Sequence, residues 1–338
     1  MPPSEVNRMH DNGSIIKVQN LQKWFPLRKG VIASLVRTRE LFIKAVDDVS
    51  FEIRHNEIVG LVGESGCGKT TAGRVILRLI DPTGGQIQFD GSDITSLNQK
   101  QLKPLRKQMQ IVFQNPYESL NPRMKVSTIL SSPLKIQRSE DQTKIEDHVL
   151  KALEGVGLVP AEEFLNRYPH ELSGGQRQRM VIARAFILEP RFVVADEPVS
   201  MLDISIRNEI LGTLLAKKEQ YKTAILFITH DLSLARNVCG RLIVMYLGKI
   251  VEIGDAEDIV QEPLHPYTQA LVAAVPVPDP NTKRGDIPAS DEVPDPLDLP
   301  RGCRFHPRCP YVMDICRTEE PKLIKTTEGR SVACHLVK

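Results

Sequence analysis

Apolar residues follow two different spacings along this 338-residue chain, one typical of strands and one typical of helices. Residues 15–18 and 46–53 alternate apolar and polar positions, as half-buried strands do. Short continuous apolar runs, typical of strands buried on both faces, occur at 57–62, 111–113, 192–195, 224–228 and 242–245. Helical spacing places apolar residues on one face over 145–156 and again over 206–215. Strands that alternate with helices predict an α/β fold with a mainly parallel sheet.

A glycine-rich segment, GESGCGKT at 63–70, lies between the apolar run 57–62 and a helical pattern over 71–80. It fits the phosphate-loop pattern, and strand, loop and helix come in the order that such a site requires. Glycines let successive N–H groups turn toward a phosphate, and the next helix adds its positive N-terminal end. The residues expected to bind a nucleotide are Gly63, Glu64, Ser65, Gly66, Cys67, Gly68, Lys69, Thr70 and Thr71, of which Thr70 can also ligate Mg²⁺.

The apolar run 192–195 ends in two acids, Asp196 and Glu197. If this strand lies beside the phosphate-loop strand, Asp196 is placed to hold Mg²⁺ and Glu197 to activate an attacking water. An apolar strand that ends in acids is common, so this motif gains its weight from the phosphate loop upstream.

The composition is that of an ordinary globular protein, with 41% hydrophobic and 25% charged residues. No apolar run reaches the ~18–20 residues of a bilayer-spanning helix, and residues 1–13 lack the apolar core of a signal peptide. We therefore expect a cytosolic protein whose six cysteines stay reduced. The net charge of +2 does not by itself indicate a nucleic-acid partner, and none is expected.

The segment LSGGQ at 172–176 precedes a helical pattern rich in small and basic residues, 177–186. As an ordinary helix start, it would use Ser173 as a cap and the glycines as a flexible pair. As a functional segment, it would be a second helix N-terminus that binds phosphate. One nucleotide does not easily need two such sites from one chain. The functional interpretation therefore requires two subunits, each completing the site of the other.

The phosphate loop, the LSGGQ segment and the acid-tipped strand, in this order, resemble the ATP-binding-cassette (ABC) ATPases. The resemblance implies a RecA-like core with a mainly parallel sheet, an antiparallel β subdomain and a helical subdomain at about 116–190. It also implies that ATP binds between the phosphate loop of one subunit and the LSGGQ signature of a second ATPase subunit, homologous or identical. The signature residues implied to bind ATP are Ser173, Gly174, Gly175 and Gln176.

Other positions match further motifs of the same family. Gln114 matches the glutamine loop, which implies that it senses Mg²⁺ and the γ-phosphate, and Asp203 lies in the loop after the acid-tipped strand. His230 matches the switch histidine at the γ-phosphate, and its alternative role is that of a helix-capping or core histidine. Phe25 is the best match for the aromatic residue that stacks on adenine. Trp24 is the second candidate, and either ring could instead belong to the core.

Longer matches narrow the resemblance to importers of the oligopeptide/dipeptide subfamily, which also includes nickel importers. They are YPHEL at 168–172, QNPYESLNPRM at 114–124 and PLHPYTQAL at 263–271. This resemblance implies a peripheral subunit on the cytoplasmic face of the membrane, below two membrane permease subunits supplied by an extracellular solute-binding protein. Peptides are the expected solute, with nickel or oligosaccharides as alternatives. A non-transport ABC ATPase is the rival from a different class.

Two segments depart from this pattern. Residues 27–39 form a basic insertion, interpreted as a solvated loop or as a contact with a membrane surface or partner. After residue 262 prolines become frequent and periodicity fades, which predicts an ATPase domain at 1–262 and an irregular C-terminal extension at 263–338.

The C-terminal extension contains a cluster of cysteines whose spacing is not the paired spacing of a zinc ribbon. Its members are Cys303, Cys309, Cys316 and Cys334. Soft thiolate ligands suit zinc or iron–sulfur, and free thiols are the third possibility. In the resembling peptide-importer ATPases, a tail similar to GCRFHPRCP at 302–310 holds a 4Fe-4S cluster, which implies that these four cysteines are its ligands here. Cys67 and Cys239 are expected to be structural.

Overall fold

The computed structural model describes residues 13–27, 41–137, 141–275, 295, 297–327 and 329–337. The strands of this part of the chain are β1 (Ser14–Pro26), β2 (Phe42–Arg54), β3 (Ile58–Val62), β4 (Gly84–Phe89), β5 (Ser92–Asp93), β6 (Met109–Val112), β7 (Phe192–Asp196), β8 (Ala224–Thr229), β9 (Arg241–Tyr246), β10 (Lys249–Asp255), β11 (Ile324–Lys325) and β12 (Ser331–Val332). The α-helices are α1 (Lys69–Ile76), α2 (Gln99–Arg106), α3 (Pro116–Ser119), α4 (Val126–Gln137), α5 (Gln142–Glu154), α6 (Glu162–Leu165), α7 (Gly174–Phe186), α8 (Ile204–Tyr221), α9 (Leu232–Val238), α10 (Ala256–Gln261), α11 (Pro266–Ala273) and α12 (Asp314–Thr318).

The strands form two sheets. An antiparallel sheet has the order β2-β1-β4-β5, and a larger sheet has the order β11-β12-β10-β9-β3-β8-β7-β6. Strands β9, β3, β8, β7 and β6 of the larger sheet are mutually parallel, whereas β10, β12 and β11 continue it in antiparallel pairing. The predicted mixture of a mainly parallel core sheet with an antiparallel β unit and helices is therefore confirmed.

Two apolar cores cover the two faces of the larger sheet. Alternate residues along a strand point to opposite faces, so Leu226 and Ile228 of β8 join the core shared with the antiparallel sheet. Ile225 and Phe227 of the same strand join the core under the helices. This second core also takes in Tyr267 and Phe305 from the C-terminal extension.

The order of the central strands corrects one expectation. The acid-tipped strand β7 does not lie beside β3, because β8 pairs in parallel with both and separates them. The carboxyl ends of parallel strands meet at one edge of a sheet. Hence the residues that follow β3, β8, β7 and β6 still converge there, with the end of β8 in the middle.

The C-terminal extension continues the larger sheet, because β12 pairs with β10 through Glu252–Val332 and Ile253–Ser331. The boundary predicted at residue 262 remains a prediction. The basic insertion beyond residue 27 and most of the proline-rich stretch lie outside the described residues. No helix among those that the structure describes is long and apolar enough to cross a membrane.

Candidate nucleotide-binding site

The phosphate loop joins β3 to α1 and bends sharply at its glycines. Gly66 and Gly68 have φ values of 80° and 106°, which side chains with a Cβ rarely adopt. A Cβ on Gly68 would also lie 1.9 Å from the carbonyl oxygen of Ala45. Gly68 occupies the N-cap of α1, so the first N–H groups of this helix face the concave side of the loop. The geometry is that of a backbone cradle for phosphate.

Lys69 lies inside the curve of this loop and is 5% exposed. Its Nζ donates hydrogen bonds to the carbonyl oxygens of Gly63 at 2.7 Å and Glu64 at 2.8 Å. Its third contact is with Sγ of Cys67 at 3.7 Å, so no carboxylate is among these hydrogen-bond partners. The positive charge of Lys69 is therefore available to the phosphates of a nucleotide.

The two residues predicted to hold Mg²⁺, Thr70 and Asp196, contact each other at the start of α1. The Thr70 hydroxyl donates to Oδ1 of Asp196 at 2.9 Å, which joins the phosphate loop to the end of β7. Asp196 is 2% exposed, and burial raises its pKa although the Thr70 hydrogen bond lowers it. Oxygen ligands of this kind suit Mg²⁺, and a buried carboxylate gains by having a cation beside it. The residues present therefore fit a Mg²⁺ ion bound with the nucleotide.

Three predicted catalytic residues meet at the same edge of the sheet. Glu197 Oε2 accepts a hydrogen bond from Nε2 of Gln114 at 2.7 Å, and its Oε1 lies 3.0 Å from Nδ1 of His230. Gln114 follows β6, Glu197 follows β7 and His230 follows β8, so three neighbouring parallel strands deliver the group. The structure thus brings together side chains separated by up to 116 positions, 114 to 230, in the sequence.

The backbone of Glu197 is unusual for a residue with a side chain. Its φ is 45°, in the left-handed region, and its N–H donates to the carbonyl oxygen of Ile228 at 2.9 Å. The Ser200 hydroxyl in turn donates to the Glu197 carbonyl oxygen at 3.1 Å. Such a conformation costs free energy and persists where neighbouring bonds enforce it, often at active sites.

The two aromatic candidates at the end of β1 have different surroundings. Trp24 donates from Nε1 to Asp47 at 3.0 Å, and Lys44 covers its ring with Nζ 4.4 Å from the centroid. The Phe25 side chain is 38% exposed, with Nζ of Lys23 5.0 Å from its centroid. Phe25 therefore has the ring surface that a stacked base needs, while Trp24 is occupied within the protein.

The signature segment begins α7. Ser173 Oγ accepts from the N–H of Gln176 at 3.2 Å, and Gln176 Oε1 accepts from the N–H of Ser173 at 2.9 Å, which forms a capping box. A Cβ on Gly174 would contact Leu202 and one on Gly175 would contact Ile206, so the segment packs against the start of α8. Asp203 is the exposed N-cap residue of α8. Among the described residues, no hydrogen bond or ion pair joins Ser173–Gln176 to the phosphate loop.

Sequence reasoning missed the residues that hold Glu64. Both guanidinium nitrogens of Arg308 donate to its carboxylate, at 2.9 and 3.0 Å, and the Tyr267 hydroxyl accepts from its backbone N–H at 2.8 Å. These partners lie 203 and 244 positions away along the chain, so no local pattern connects them to the loop.

All four cysteines of the extension line one cavity of about 10 Å³. Burial raises the pKa of Cys303 to about 11 and also raises the pKa of Cys309 and Cys334. Within the described part of the chain, no group of three or more Cys, His, Asp or Glu side chains is arranged to hold a metal ion. Cys67 and Cys239 are buried elsewhere.

Known proteins resemble this chain over nearly all of its length. Residues 46–200 match the ABC transporter family, and residues 251–316 match the oligopeptide/dipeptide transporter C-terminal region. Oligopeptide transport ATP-binding protein AppF of Bacillus subtilis is 44% identical over 326 residues, which cover 96% of this chain and 97% of AppF. Dipeptide transport ATP-binding protein DppF of Haemophilus influenzae is 41% identical over 330 residues, covering 97% and 98%.

A solved structure gives the same answer for the fold. The dimeric post-hydrolysis state of the ATP-binding cassette MJ0796, bound to ADP and Pi, has a TM-score of 0.62 at 27% identity. The match covers 71% of this chain and 98% of that one. The predicted resemblance is confirmed by both comparisons: this chain belongs to the ABC transporter family, as an ATPase of the branch with the oligopeptide/dipeptide transporter C-terminal region.

Proposed function

We propose that this chain hydrolyses ATP to drive the import of di- or oligopeptides, and that Glu197 activates the attacking water. The observation that carries the catalytic assignment is the hydrogen bonding of one carboxylate to both Gln114 and His230. A carboxylate held on both sides is fixed in direction, as a general base must be. The names of the relatives AppF and DppF, which are oligopeptide and dipeptide transport ATP-binding proteins, support peptides as the solute.

Each of the remaining predicted residues has a role in this proposal. The phosphate-loop N–H groups and Lys69 bind the β- and γ-phosphates, and Phe25 stacks on the adenine. Thr70 and Asp196, with Gln114 nearby, hold Mg²⁺, which neutralises charge on the phosphates when bound. His230 contacts the γ-phosphate and helps to orient the water that Glu197 deprotonates.

The exposed signature segment supports a site shared between two subunits. Ser173 and Gln176 satisfy each other at the N-terminus of α7, and among the described residues no hydrogen bond joins this end to the phosphate loop of its own chain. We infer that it binds the ATP held by a second ATPase subunit, together with Asp203. ATP then stabilises the closed dimer, and hydrolysis reopens it, which shifts the equilibrium of two attached permease subunits. The proposed location is peripheral, on the cytoplasmic face of the membrane, with an extracellular binding protein delivering the solute.

Glu197→Gln tests the catalytic assignment. The amide keeps the size of the side chain but cannot take a proton, so ATP hydrolysis should fall by at least ~100-fold while ATP binding persists. Phosphate release and ATP affinity are measured on the same preparation, with Glu189→Gln as a control in another loop. Hydrolysis at the wild-type rate would remove Glu197 from this role.

Reconstitution with the permeases and binding protein, followed by identification of the bound solute, separates peptides from nickel and oligosaccharides.

We also propose that Cys303, Cys309, Cys316 and Cys334 hold a 4Fe-4S cluster. The support is the convergence of the four side chains on one cavity, since four thiolates suit iron–sulfur ligation. Burial raises the pKa of Cys303, Cys309 and Cys334, and binding of a metal as thiolates must displace their protons.

Anaerobic purification tests the cluster. The protein should be brown and contain iron and sulfide, and replacing any one of the four cysteines by Ser should lower the iron content. Cys239→Ser, which changes a buried thiol outside the cavity, is the matched control. A colourless preparation with one zinc per chain would assign the site to zinc, and four alkylatable thiols without metal would refute a metal site.

A further inference from the structure

Glu64 is held by the C-terminal extension at both its side chain and its backbone. The Arg308 guanidinium pairs with its carboxylate through two parallel hydrogen bonds, and the Tyr267 hydroxyl accepts from its N–H. On its other side, the Glu64 carbonyl oxygen accepts from Lys69 Nζ. Every polar group of this phosphate-loop residue therefore has a partner, and two of those partners come from beyond residue 262.

Both of these partners are themselves fixed. Tyr267 is fully buried, and its ring packs against Tyr246 and Phe305 at centroid distances of 4.5 and 5.5 Å. The Arg308 guanidinium lies over the Phe305 ring at 5.7 Å and donates to the Tyr246 hydroxyl at 3.4 Å. A planar guanidinium that is held by stacking and paired through its two terminal nitrogens fixes the orientation of the Glu64 carboxylate and also neutralises its charge.

The second arginine of the same turn, Arg304, reaches Asp47 of β2. Arg304 donates to the Asp47 carboxylate and to the Leu247 carbonyl oxygen. Asp47 also accepts from Nε1 of Trp24, the residue before Phe25, whose ring is predicted to stack on adenine. Arg304 follows Cys303 directly and Arg308 precedes Cys309 directly. The turn that contributes two cysteines to the cavity thus contributes the two arginines that contact the nucleotide-binding cassette.

We propose that Arg308 and Tyr267 are positioning residues for ATP, which act through Glu64 to hold the phosphate loop in the shape that binds phosphate. Ordering a residue costs conformational entropy, so a loop that is already ordered binds its ligand more tightly. The proposal rests on the proposed function only in taking ATP binding at this loop as given.

The contacts of Arg308 and Tyr267 with Glu64, called the clamp from here on, connect the cysteine cavity to the phosphate loop. A change at the cavity that moves the turn 303–309 also moves Arg308, and the resulting effect on ATP affinity is reciprocal by linkage. Loss of the metal proposed for this cavity should therefore weaken ATP binding through Arg308. The extension then reports the state of its cysteines to the ATP site, a role that requires no electron transfer.

The clamp is tested by ATP binding to the full chain carrying Arg308→Met, Arg308→Lys, Tyr267→Phe or Glu64→Gln. Arg308→Met and Tyr267→Phe should each raise the Kd for ATP about tenfold, and the loss should appear in KM more than in kcat. Arg308→Lys should restore little, because an ammonium cannot make the paired contact. Arg317→Met, an exposed arginine of the same extension, is the matched control and should bind ATP like the wild type.

A double variant separates positioning from general destabilisation. Arg308→Met with Glu64→Gln should raise the Kd for ATP no further than the worse of the two single changes, because both remove the same pair. Additive losses, or losses that follow only the free energy of unfolding, would overturn the proposal. Lys69→Ala serves to test the loop itself: normal ATP binding by that variant would refute the proposed ATP site, whereas normal binding by the Arg308 variants alone refutes only the clamp.

The cysteine linkage is tested in protein purified anaerobically. Cys309→Ser should raise the Kd for ATP by several-fold in the wild-type background and should have no further effect in Arg308→Met. Cys239→Ser is the matched control. An unchanged Kd in Cys309→Ser, alongside weakened binding in Arg308→Met, would show that the clamp does not transmit the state of the cysteines.

Discussion

At the scale of single residues, Asp47 joins three parts of the molecule through one buried carboxylate. It accepts from Trp24 of β1 and from Arg304 of the extension, and it lies 3.7 Å from Nζ of Lys44. Burial alone would raise its pKa, but the charges of Arg304, Lys249 and Lys44 hold it below the ordinary value of 3.8. A carboxylate with a lowered pKa stabilises the folded state above its unfolded pKa, and this contribution is lost as the pH falls through the folded pKa.

Asp47→Asn should lower the free energy of unfolding by about 3 kcal/mol at pH 7, since it leaves Arg304 buried without its countercharge. The difference from the wild type should stay constant down to about pH 4 and narrow only below that, because the wild-type carboxylate is then protonated as well. Urea unfolding at several pH values measures both. Asp48→Asn, at the exposed neighbouring position, is the control and should change stability by less than about 0.5 kcal/mol. A difference that already narrows between pH 7 and pH 5 would contradict this assignment.

Which residues could be predicted from sequence depends on how local their signal is. The phosphate loop and the pair Asp196–Glu197 are contiguous, so their residue types and spacing are sufficient to assign them. Arg308 shows no such signal, because its partner Glu64 is 244 positions away and either residue alone resembles an ordinary surface charge. The sequence favoured Phe25 over Trp24 as the stacking residue, and the difference in their surroundings, which supports that prediction, appears only in the folded chain.

At the scale of elements, α11 depends on a neutral histidine at its start. His265 Nδ1 accepts a hydrogen bond from the N–H of Tyr267 at 3.0 Å and so caps the helix that carries Tyr267 to the phosphate loop. Burial lowers the pKa of His265 to about 3. Between this value and the ordinary value of 6.5, the unfolded chain binds a proton that the folded chain does not, so stability falls as the pH drops below 6.5.

His265→Asn should remove this acid sensitivity, because asparagine is also a good helix cap but does not titrate. The wild type should lose about 1 kcal/mol of stability for each pH unit below 6.5 from this group, and the variant should lack that component of the slope. The comparison is made by urea unfolding between pH 7 and pH 5. His170→Asn, at an exposed position, is the control. Equal slopes in the wild type and His265→Asn would refute the role of this histidine.

Element boundaries were predicted less well than element types. The apolar spacing predicted a helix over 71–80, whereas α1 runs from Lys69 to Ile76. The helix ends because Arg78 adopts a φ of 53° and its buried side chain donates to the carbonyl oxygens of Ile94 and Leu97. An arginine that turns inward to bind backbone carbonyls has no signature in a hydrophobic pattern.

At the scale of the whole molecule, the C-terminal extension is integrated with the cassette, although periodicity gave no sign of this. Strands β11 and β12 have two residues each, too few to show an alternation, yet they extend the larger sheet. Phe305 and Tyr267 enter the core under the helices, Arg304 pairs with Asp47 of β2, and Arg308 pairs with Glu64 of the phosphate loop. The proposed ATP-binding surface therefore draws on residues from β1 to the C-terminal extension.

The signature segment at the start of α7 is proposed to bind the ATP of a second subunit, and Ser173 is the residue used to test this. Ser173→Arg places a long cation at the exposed N-terminus of α7, where a phosphate of the second subunit's ATP is proposed to bind. The phosphate loop of the variant is unchanged, so the isolated subunit should bind ATP with the wild-type Kd. In the assembled transporter, hydrolysis should fall at least ~10-fold, because a site that uses the altered signature cannot close on its nucleotide.

Dimers that combine two different variant subunits test directly whether each site is shared between two chains. When Ser173→Arg subunits are assembled with Glu197→Gln subunits, each mixed dimer contains one site with both changes and one site with neither. If a site uses its phosphate loop and Glu197 from one chain and its signature from the other, the Glu197→Gln chain pairs its own loop with the altered signature. The remaining site then has an intact loop, base and signature, and the mixture should recover hydrolysis above either variant alone. If each chain instead formed its own complete site, both sites of the mixed dimer would carry one defect. Measured phosphate release that stays at the level of the separate variants would then reject the two-subunit site.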